Sequence, residues 1–281
     1  MKLLRYGEIN QEKPAIMDEE GKMRDLSSVI KDISSAQLTQ SNLNLIKSLS
    51  LNELPLVKNN PRLGAPIGDV GKFICIGLNY LDHILETGAK QPKEPVVFSK
   101  FSSAICGPYD EIHIPKGSKH LDWEVELGVV IGERALNVSV ENALSHVAGY
   151  CLINDISERR FQREMAGQWI KGKSYQTFAP IGPWLLTKDE VANPHNLSIW
   201  LKVDGQLKQD SNTKQMIFKV PYLVSYLSQF FALCPGDIIS TGTPAGVGLG
   251  AKPEPVFLKK GQRLQFGIDK LGEQTHLLVQ D

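Results

Sequence analysis

Asp122-Trp123-Glu124-Val125-Glu126-Leu127-Gly128-Val129-Val130-Ile131-Gly132 decides whether this chain carries a buried sheet. Its second half is rich in β-branched and apolar residues, which suits a pleated strand. Side chains on a strand alternate between faces. Glu124 and Glu126 therefore share one face, and Val125, Leu127, Val129 and Ile131 the other. The two carboxylate stems then stand roughly 6–7 Å apart. Anions so close beside an apolar run repel each other unless a cation or a proton intervenes. The competing reading is an edge strand with solvated charges. It weakens further along, where Gly149-Tyr150-Cys151-Leu152-Ile153 reads as another buried strand ending in Asn154-Asp155. A strand-end aspartate is a usual place for a ligand, although it also suits a turn or cap.

The 281 residues allow one large domain, or one large and one small. Hydrophobic residues make up 42% and charged residues 22%, as in an ordinary globular protein. Lys+Arg and Asp+Glu both number 31, so nothing predicts a polyanion or membrane-surface partner. Cys75, Cys106, Cys151 and Cys234 form no CxxC pair, which argues against a disulfide framework or a thiolate zinc site. The start Met1-Lys2-Leu3-Leu4-Arg5-Tyr6-Gly7 is too short and charged for a signal peptide, and no apolar run reaches membrane-spanning length. A cytoplasmic protein is expected.

Residues 1–26 read as short strands. Ser27 can cap a helix through Val29, Ile30 and Ile33, and 36–54 suggests another helix. Pro55, Pro61 and Pro66 mark a linker, so a small α+β unit (residues 1–65) is expected to precede a main domain (66–281). In the main domain Phe73-Ile74-Cys75-Ile76-Gly77 is a buried strand. Asn79 can cap the short helix after it, where His83 and Glu86 lie three apart on one face. A histidine oriented by a carboxylate is what a general base needs, though a surface pair looks the same in sequence. The polar stretch 87–95 looks mobile, and 79–95 as a whole is expected to act as a lid.

Val96-Val97-Phe98 is a strand leading to Lys100. Ser139 can cap a helix through Val147, and Ser157 one that places Arg159 and Gln162 on one face. Ile199 to Val203 with Asp204-Gly205 predicts a hairpin, and Val220 to Phe231 a helix. Lys171-Gly172-Lys173-Ser174-Tyr175 lacks the upstream glycine of an ATP-binding loop. Thr241-Gly242-Thr243-Pro244-Ala245-Gly246-Val247-Gly248 lacks the dinucleotide-binding spacing, yet its backbone amides could hold a carboxylate.

Five motifs in order resemble the fumarylacetoacetate hydrolase family, from about Phe73 to Gly267. They are Gly77-Leu78-Asn79-Tyr80 with Asp82-His83, Glu124-Val125-Glu126-Leu127, Asn154-Asp155-Ile156-Ser157 with Arg159 and Gln162, Gly172-Lys173-Ser174-Tyr175, and Gly242-Thr243-Pro244. The resemblance implies a β-rich mixed α+β fold, a β-roll, in a homodimer. It implies Glu124, Glu126 and Asp155 as ligands of Mg²⁺ or a similar ion, His83 with Glu86 as base, and Lys173 as oxyanion donor. Arg159, Gln162, Thr243 and Lys100 would contact substrate. A further acidic ligand of the family's larger animal hydrolase has no counterpart here. The N-terminal unit and Gly167-Gln168-Trp169-Ile170 look like bacterial members named for sugar-derived diketo acids or ureidoglycolate.

Three carboxylates without a thiolate independently suit Mg²⁺, Mn²⁺ or Ca²⁺. Such a site fits a small 2-oxo acid substrate, with no nucleic-acid or membrane partner. The expected reaction is hydrolysis of a C–C bond in a 2,4-diketo acid of the acylpyruvate type, giving pyruvate and a carboxylic acid. The alternatives are a lyase, decarboxylase or isomerase on a related 2-oxo acid, such as oxaloacetate or ureidoglycolate, and a catalytically silent metal-binding module.

Overall fold

In the computed structural model, which describes residues 1–280, the alternating apolar stretches form two large sheets and one two-stranded ladder (Leu121–Asp122 with Ser157–Glu158), joined by short helices. β1 (Lys2–Tyr6), β2 (Lys13–Met17) and β3 (Met23–Asp25) come first. α1 (Gln40–Lys47), β4 (Phe73–Gly77), α2 (Leu81–Thr87), β5 (Val96–Lys100), β6 (Ile112–Ile114), β7 (Val125–Ile131) and β8 (Val147–Asn154) follow. Next are α3 (Arg159–Arg163), α4 (Ile170–Lys173), β9 (Ala179–Thr187), β10 (Ser198–Val203) and β11 (Gln206–Asn212). α5 (Val220–Ser228), β12 (Ile238–Ser240), β13 (Arg263–Ile268) and β14 (Gly272–Gln280) complete the chain. The larger sheet runs β3-β2-β1-β9-β8-β7-β12-β4-β5, and the smaller runs β11-β10-β13-β14-β6.

The strand that carries Glu126 lies in the interior of the larger sheet, not at an edge. β7 is hydrogen-bonded to β8 on one side and β12 on the other, and all its residues are buried. β12 runs parallel to β4, with Ser240 opposite Cys75. The C-terminal ends of β4, β8 and β12 therefore meet the N-terminal end of β7 at one end of the sheet. Four chain segments leave the ladder there, and loops leaving a fixed sheet are where side chains can converge on a ligand.

The first 65 residues contribute to the same sheet. β1 pairs with β9, placing Leu3 opposite Leu185. Expected helices shrink here. Residues 27–33 hold one turn, with the Val29 and Ile30 amides on the Leu26 carbonyl, and Asp32 grips Arg5. Within 36–54 only α1 is α-helical, and the Ser139 segment yields a 3-10 turn over Ala143–His146. Segments this short have too little intrinsic helicity to exceed what packing supports. The Asp204-Gly205 hairpin forms as expected, with φ of 49° and 77°. All four cysteines are free, and among the described residues no helix is long and apolar enough to cross a membrane.

α5 supplies a pH-dependent element of stability. The amide of Val220, its first residue, donates to His195 Nε2 at 3.0 Å, which requires that nitrogen to be unprotonated. Burial, then the charge of Lys219, pushes the imidazole down from 6.5 to about 4. Between those values the unfolded chain takes up a proton that the folded chain refuses, so the contribution is complete above about 6.5 and lost as pH falls toward 4. The urea midpoint is expected to fall across that window. His195→Gln should flatten the fall by on the order of 1 kcal/mol, a modest figure because the ring is only half-buried. An unchanged slope in the variant would remove His195 from the account.

Candidate metal and substrate site

Glu124, Glu126 and Asp155 converge: each offers one carboxylate oxygen, the three lie within 4.8 Å of one another, and all three residues are buried. Glu124 stands just before β7 and Glu126 on it, so the two-residue repeat puts both on one side. Asp155 follows the last residue of β8. Because Val125 pairs with Asn154, the chain returns Asp155 beside Glu124, and its amide donates to the Glu124 carbonyl at 2.8 Å. Glu126 Oε2 accepts from Ser240 Oγ at 2.6 Å and from the Gly242 amide at 2.8 Å. Gly242 has φ +97°, and a Cβ there would lie 2.9 Å from Ile76 O and Asn79 Cβ, so the approach is open only to glycine.

Three buried cations answer these acids. Lys173 Nζ donates to Glu124 Oε2 at 2.5 Å and Asp155 Oδ2 at 2.7 Å. Lys100 Nζ donates to Asp155 Oδ1 at 2.5 Å. Arg159 donates from Nη2 to Glu124 at 2.6 Å and from Nε to Asp122 at 2.8 Å. Burial opposes the charge on Glu124, but Arg159 and Lys173 outweigh it and hold this carboxyl well below the usual range. Glu126 goes the other way: burial, then the charges of Asp155 and Glu124, pushes it well above that range. Lys100, Lys173 and Arg159 thus balance Glu124, Asp155 and Asp122. Glu126 is left over, and it favours a proton unless more positive charge is present. Oxygen-only donors around a carboxylate short of positive charge fit a hard divalent cation.

α2 carries His83, whose Nδ1 lies 3.4 Å from Glu86 Oε2. This is loose for a hydrogen bond, as catalytic pairs without substrate often are. The other Glu86 oxygen accepts from the Gly246 amide at 2.9 Å, so the glycine-rich loop fixes the carboxylate that orients the histidine. Asn79 does not cap α2; its amide instead joins the Phe218 backbone to the Thr241 carbonyl. α2 is also better anchored than a loose lid. Tyr80 and Ile84 are buried, and Ser211 Oγ donates to Asp82 at 2.5 Å. Leu81, Leu85 and Thr87 on the outer face of α2 are exposed, as are most residues of the 88–94 loop. Leu78, at φ 53°, adopts a left-handed conformation uncommon for a branched residue, at the point where β4 turns into the site.

A cavity of about 460 Å³ is lined by His83, Glu124, Glu126, Arg159, Gln162, Lys173 and Thr243 together with apolar residues. A larger cavity of about 970 Å³ lies against the N-terminal unit, but Arg5 and Arg62 there are taken up by Asp32, Asp110 and Glu12. Most of the sequence-derived residues thus gather in the smaller cavity, while Asp155, Glu86 and Lys100 do not line it. Lys100, expected to contact substrate, does not line it. It lies behind Asp155, fully buried, with Nζ also on the Ile156 carbonyl, and so it positions the Asp155 carboxylate. Arg159 lines the cavity, but its guanidinium is bound to Asp122, Glu124 and Gln162.

Three further buried side chains shape the site without a signal in sequence. Asp122 accepts from Arg159 and from the amides of Gly248 and Leu249. Gln209 on β11 accepts from the Val125 amide and donates to Thr243 Oγ1 at 2.8 Å. Ser240 holds Glu126. Their partners lie more than 30 residues away, and only the folded sheet brings them together.

The family model described as "Fumarylacetoacetate (FAA) hydrolase C-terminal" matches residues 72–279. A Burkholderia ambifaria protein carrying only a general hydrolase name is 57% identical over 274 residues, 98% of this chain and 97% of its own. The fumarylacetoacetate hydrolase of Exiguobacterium antarcticum superposes with a TM-score of 0.86 at 32% identity, covering 100% of both chains. Maleylpyruvate hydrolase from Sphingobium sp. SYK-6, solved with manganese(II) and pyruvate, gives 0.83 at 27% identity, covering 100% of this chain and 99% of that one. A 2-hydroxyhepta-2,4-diene-1,7-dioate isomerase from Mycobacterium marinum gives 0.76 at 30% identity, with the same coverage.

Proposed function

This chain belongs to the fumarylacetoacetate hydrolase family, and on that premise we propose that it is a divalent-metal-dependent hydrolase of acylpyruvate-type 2,4-diketo acids. The observation that carries the proposal is one cavity lined by Glu124 and Glu126 of a buried acid triad and by a carboxylate-oriented histidine. Glu124, Glu126 and Asp155 would hold Mg²⁺, or Mn²⁺ or Ca²⁺ in its place. The ion would supply Lewis-acid stabilisation of negative charge on the 2-oxo acid.

The protein's own groups then divide the work. His83, held by Glu86, takes a proton from a water that attacks the carbonyl remote from the substrate's carboxylate. The C–C bond beside that carbonyl breaks, and the departing carbon takes up a proton. One water is consumed, and pyruvate and a carboxylic acid are released. Gln162 and Thr243 orient the 2-oxo acid, and Arg159 holds Glu124 and Gln162 in place. Lys173 donates to the attacked oxygen once its ammonium leaves the carboxylates that now hold it. A homodimer in the cytoplasm remains part of the proposal.

The second reading, an isomerase on an unsaturated 2-oxo diacid, draws on the Mycobacterium marinum neighbour. A base and an orienting carboxylate serve proton relocation as well as water activation. A panel of acylpyruvates, oxaloacetate, ureidoglycolate and an unsaturated 2-hydroxy diacid, assayed with Mg²⁺, separates the readings. Pyruvate release from an acylpyruvate is the expected result. Isomerisation or decarboxylation with no acylpyruvate cleavage would overturn it.

A further inference from the structure

We infer that β11, an edge strand of the smaller sheet, holds the base-bearing helix α2 against the acid-bearing strand β7, with Gln209 and Ser211 as its two positioning residues. The inference rests on the reading above of His83 as base and of the acids as a cation site, and it names what sets one against the other. Neither Gln209 nor Ser211 lines the cavity, so each acts through a neighbour. At the glutamate end β7 extends beyond β12, since the two strands pair only from Gly128 to Val130. Val125, between Glu124 and Glu126, therefore needs other partners for its amide and carbonyl on that side. Gln209 accepts from the Val125 amide at 3.0 Å, and Thr243 Oγ1 donates to the Val125 carbonyl at 3.0 Å. Gln209 Nε2 donates to Thr243 Oγ1 at 2.8 Å and to the Pro244 carbonyl at 2.9 Å. The three residues close a ring of hydrogen bonds, and Gln209 is fully buried in it. Thr243 lines the cavity, so one side-chain amide fixes both a cavity residue and the strand that carries the glutamates.

Ser211 lies two residues on, and side chains two apart on a strand share a face. Its hydroxyl donates to Asp82 Oδ2 on α2 at 2.5 Å, and Asp82 Oδ1 accepts from the amide of His83 at 2.8 Å. A third contact lies beside these two. Gly246, whose amide holds Glu86, packs so closely on the strand that a Cβ there would lie 1.9 Å from the Lys208 carbonyl oxygen. Lys208 is the extra residue of a bulge, since Leu201 on β10 faces Gln209 while Lys202 faces Leu207. A bulge bends its strand and re-aims the neighbouring side chain, and this one sends Gln209 across to the larger sheet. The chain after β11 keeps to α2: Met216 bridges to Tyr80, and the Phe218 amide donates to Asn79. One short stretch thus grips the strand of the acids at Gln209 and the helix of the base at Ser211. A base must lie within hydrogen-bond reach of its proton, and a misplacement of about 1 Å can cost about 10²-fold in rate.

The test separates the two arms in the full-length protein. Gln209→Met keeps the side chain's length and removes its hydrogen bonds. It is expected to weaken Mg²⁺ binding, measured by calorimetry, by roughly tenfold, the low end for a group that orients a ligand, and to raise KM through Thr243. Ser211→Ala is expected to lower kcat for pyruvate release by roughly tenfold while KM and Mg²⁺ affinity hold. Ser211→Thr keeps the hydroxyl and should restore kcat. A readout independent of turnover is the paramagnetic relaxation of the His83 ring signals by bound Mn²⁺, which falls steeply with distance. It should change in Ser211→Ala and return in Ser211→Thr. That comparison still decides the base arm if no acylpyruvate is cleaved, a result that would sink the hydrolase reading alone. Should Gln209→Met not fold, Gln209→Glu keeps an acceptor for Val125 without the donor to Thr243, and a raised KM is expected from it. Folded variants that lose stability while kcat, KM, cation affinity and His83 relaxation stay at wild-type values would overturn the inference. So would a Ser211→Ala protein that loses Mg²⁺ affinity as Gln209→Met does, because the two arms would then not be separate.

Discussion

Glu126→Gln is expected to lose divalent-cation binding by more than about 100-fold, since changes one shell further out already cost 10–100-fold. Turnover should fall with it. Titration calorimetry with Mg²⁺ and Mn²⁺ measures the first, and pyruvate release the second. The folded protein should survive the change. Burial and the neighbouring Asp155 and Glu124 already push Glu126 toward its neutral form when no cation is present. A glutamine oxygen can keep the Ser240 hydroxyl and Gly242 amide as donors. Its NH₂ can then face the neighbouring carboxylates. The cation-free variant should therefore melt at or above the wild-type temperature, and only the wild type should gain stability when the cation is added. Unchanged cation affinity in a folded Glu126→Gln protein would refute the ligand assignment.

The second large effect lies on α2. His83→Ala is expected to lower pyruvate-forming turnover by about 10²–10⁴-fold, the usual contribution of a positioned general base. Cation affinity should hold, because His83 is not among the converging oxygen donors. Glu86→Gln should reproduce part of the defect, since it weakens the group that orients the ring while keeping an acceptor for the Gly246 amide. Loss of cation binding in His83→Ala would mean that the histidine is a ligand rather than a base. Oxaloacetate decarboxylation persisting in that variant would separate water activation from the remaining chemistry of the site.

The acid triad was legible because its information is local. A two-residue repeat places Glu124 and Glu126 together, and one apolar run ends at Asp155. The family motifs extended this to His83, Lys173, Arg159, Gln162 and Thr243, all of which line the cavity. What escaped was non-local. Lys100 looks equally available in sequence whether it faces substrate or a carboxylate, and only the folding of β5 and β8 sets it behind Asp155. Asp122 belongs to the same quoted stretch as the glutamates, yet its task depends on Arg159 and on the Gly248 and Leu249 amides, which arrive from distant segments. The expected helices over 27–33 and 139–147 failed for a different reason: an apolar spacing over two turns is too weak a signal when neighbouring strands set the chain's path.

The cavity lining is built from materials of different tolerance, and this bears on how such enzymes diverge. The charged end rests on β7, β8 and β12, where buried charges balance one another. Losing one of the paired charges there, from Glu124, Asp155, Lys100, Lys173 or Arg159, strands its partner without a counter-charge, at a cost of several kcal/mol. Other parts of the lining are borne by a short helix and loops through Arg163, Trp169 and Leu249, where most single substitutions cost little stability. A duplicated copy of this gene could therefore drift toward a new substrate tail in single steps, each leaving a folded and chemically competent protein. Drift toward a new reaction would have to cross non-viable intermediates. Among descendants of one ancestor, preference for the tail should therefore radiate widely while the bond that is broken stays the same.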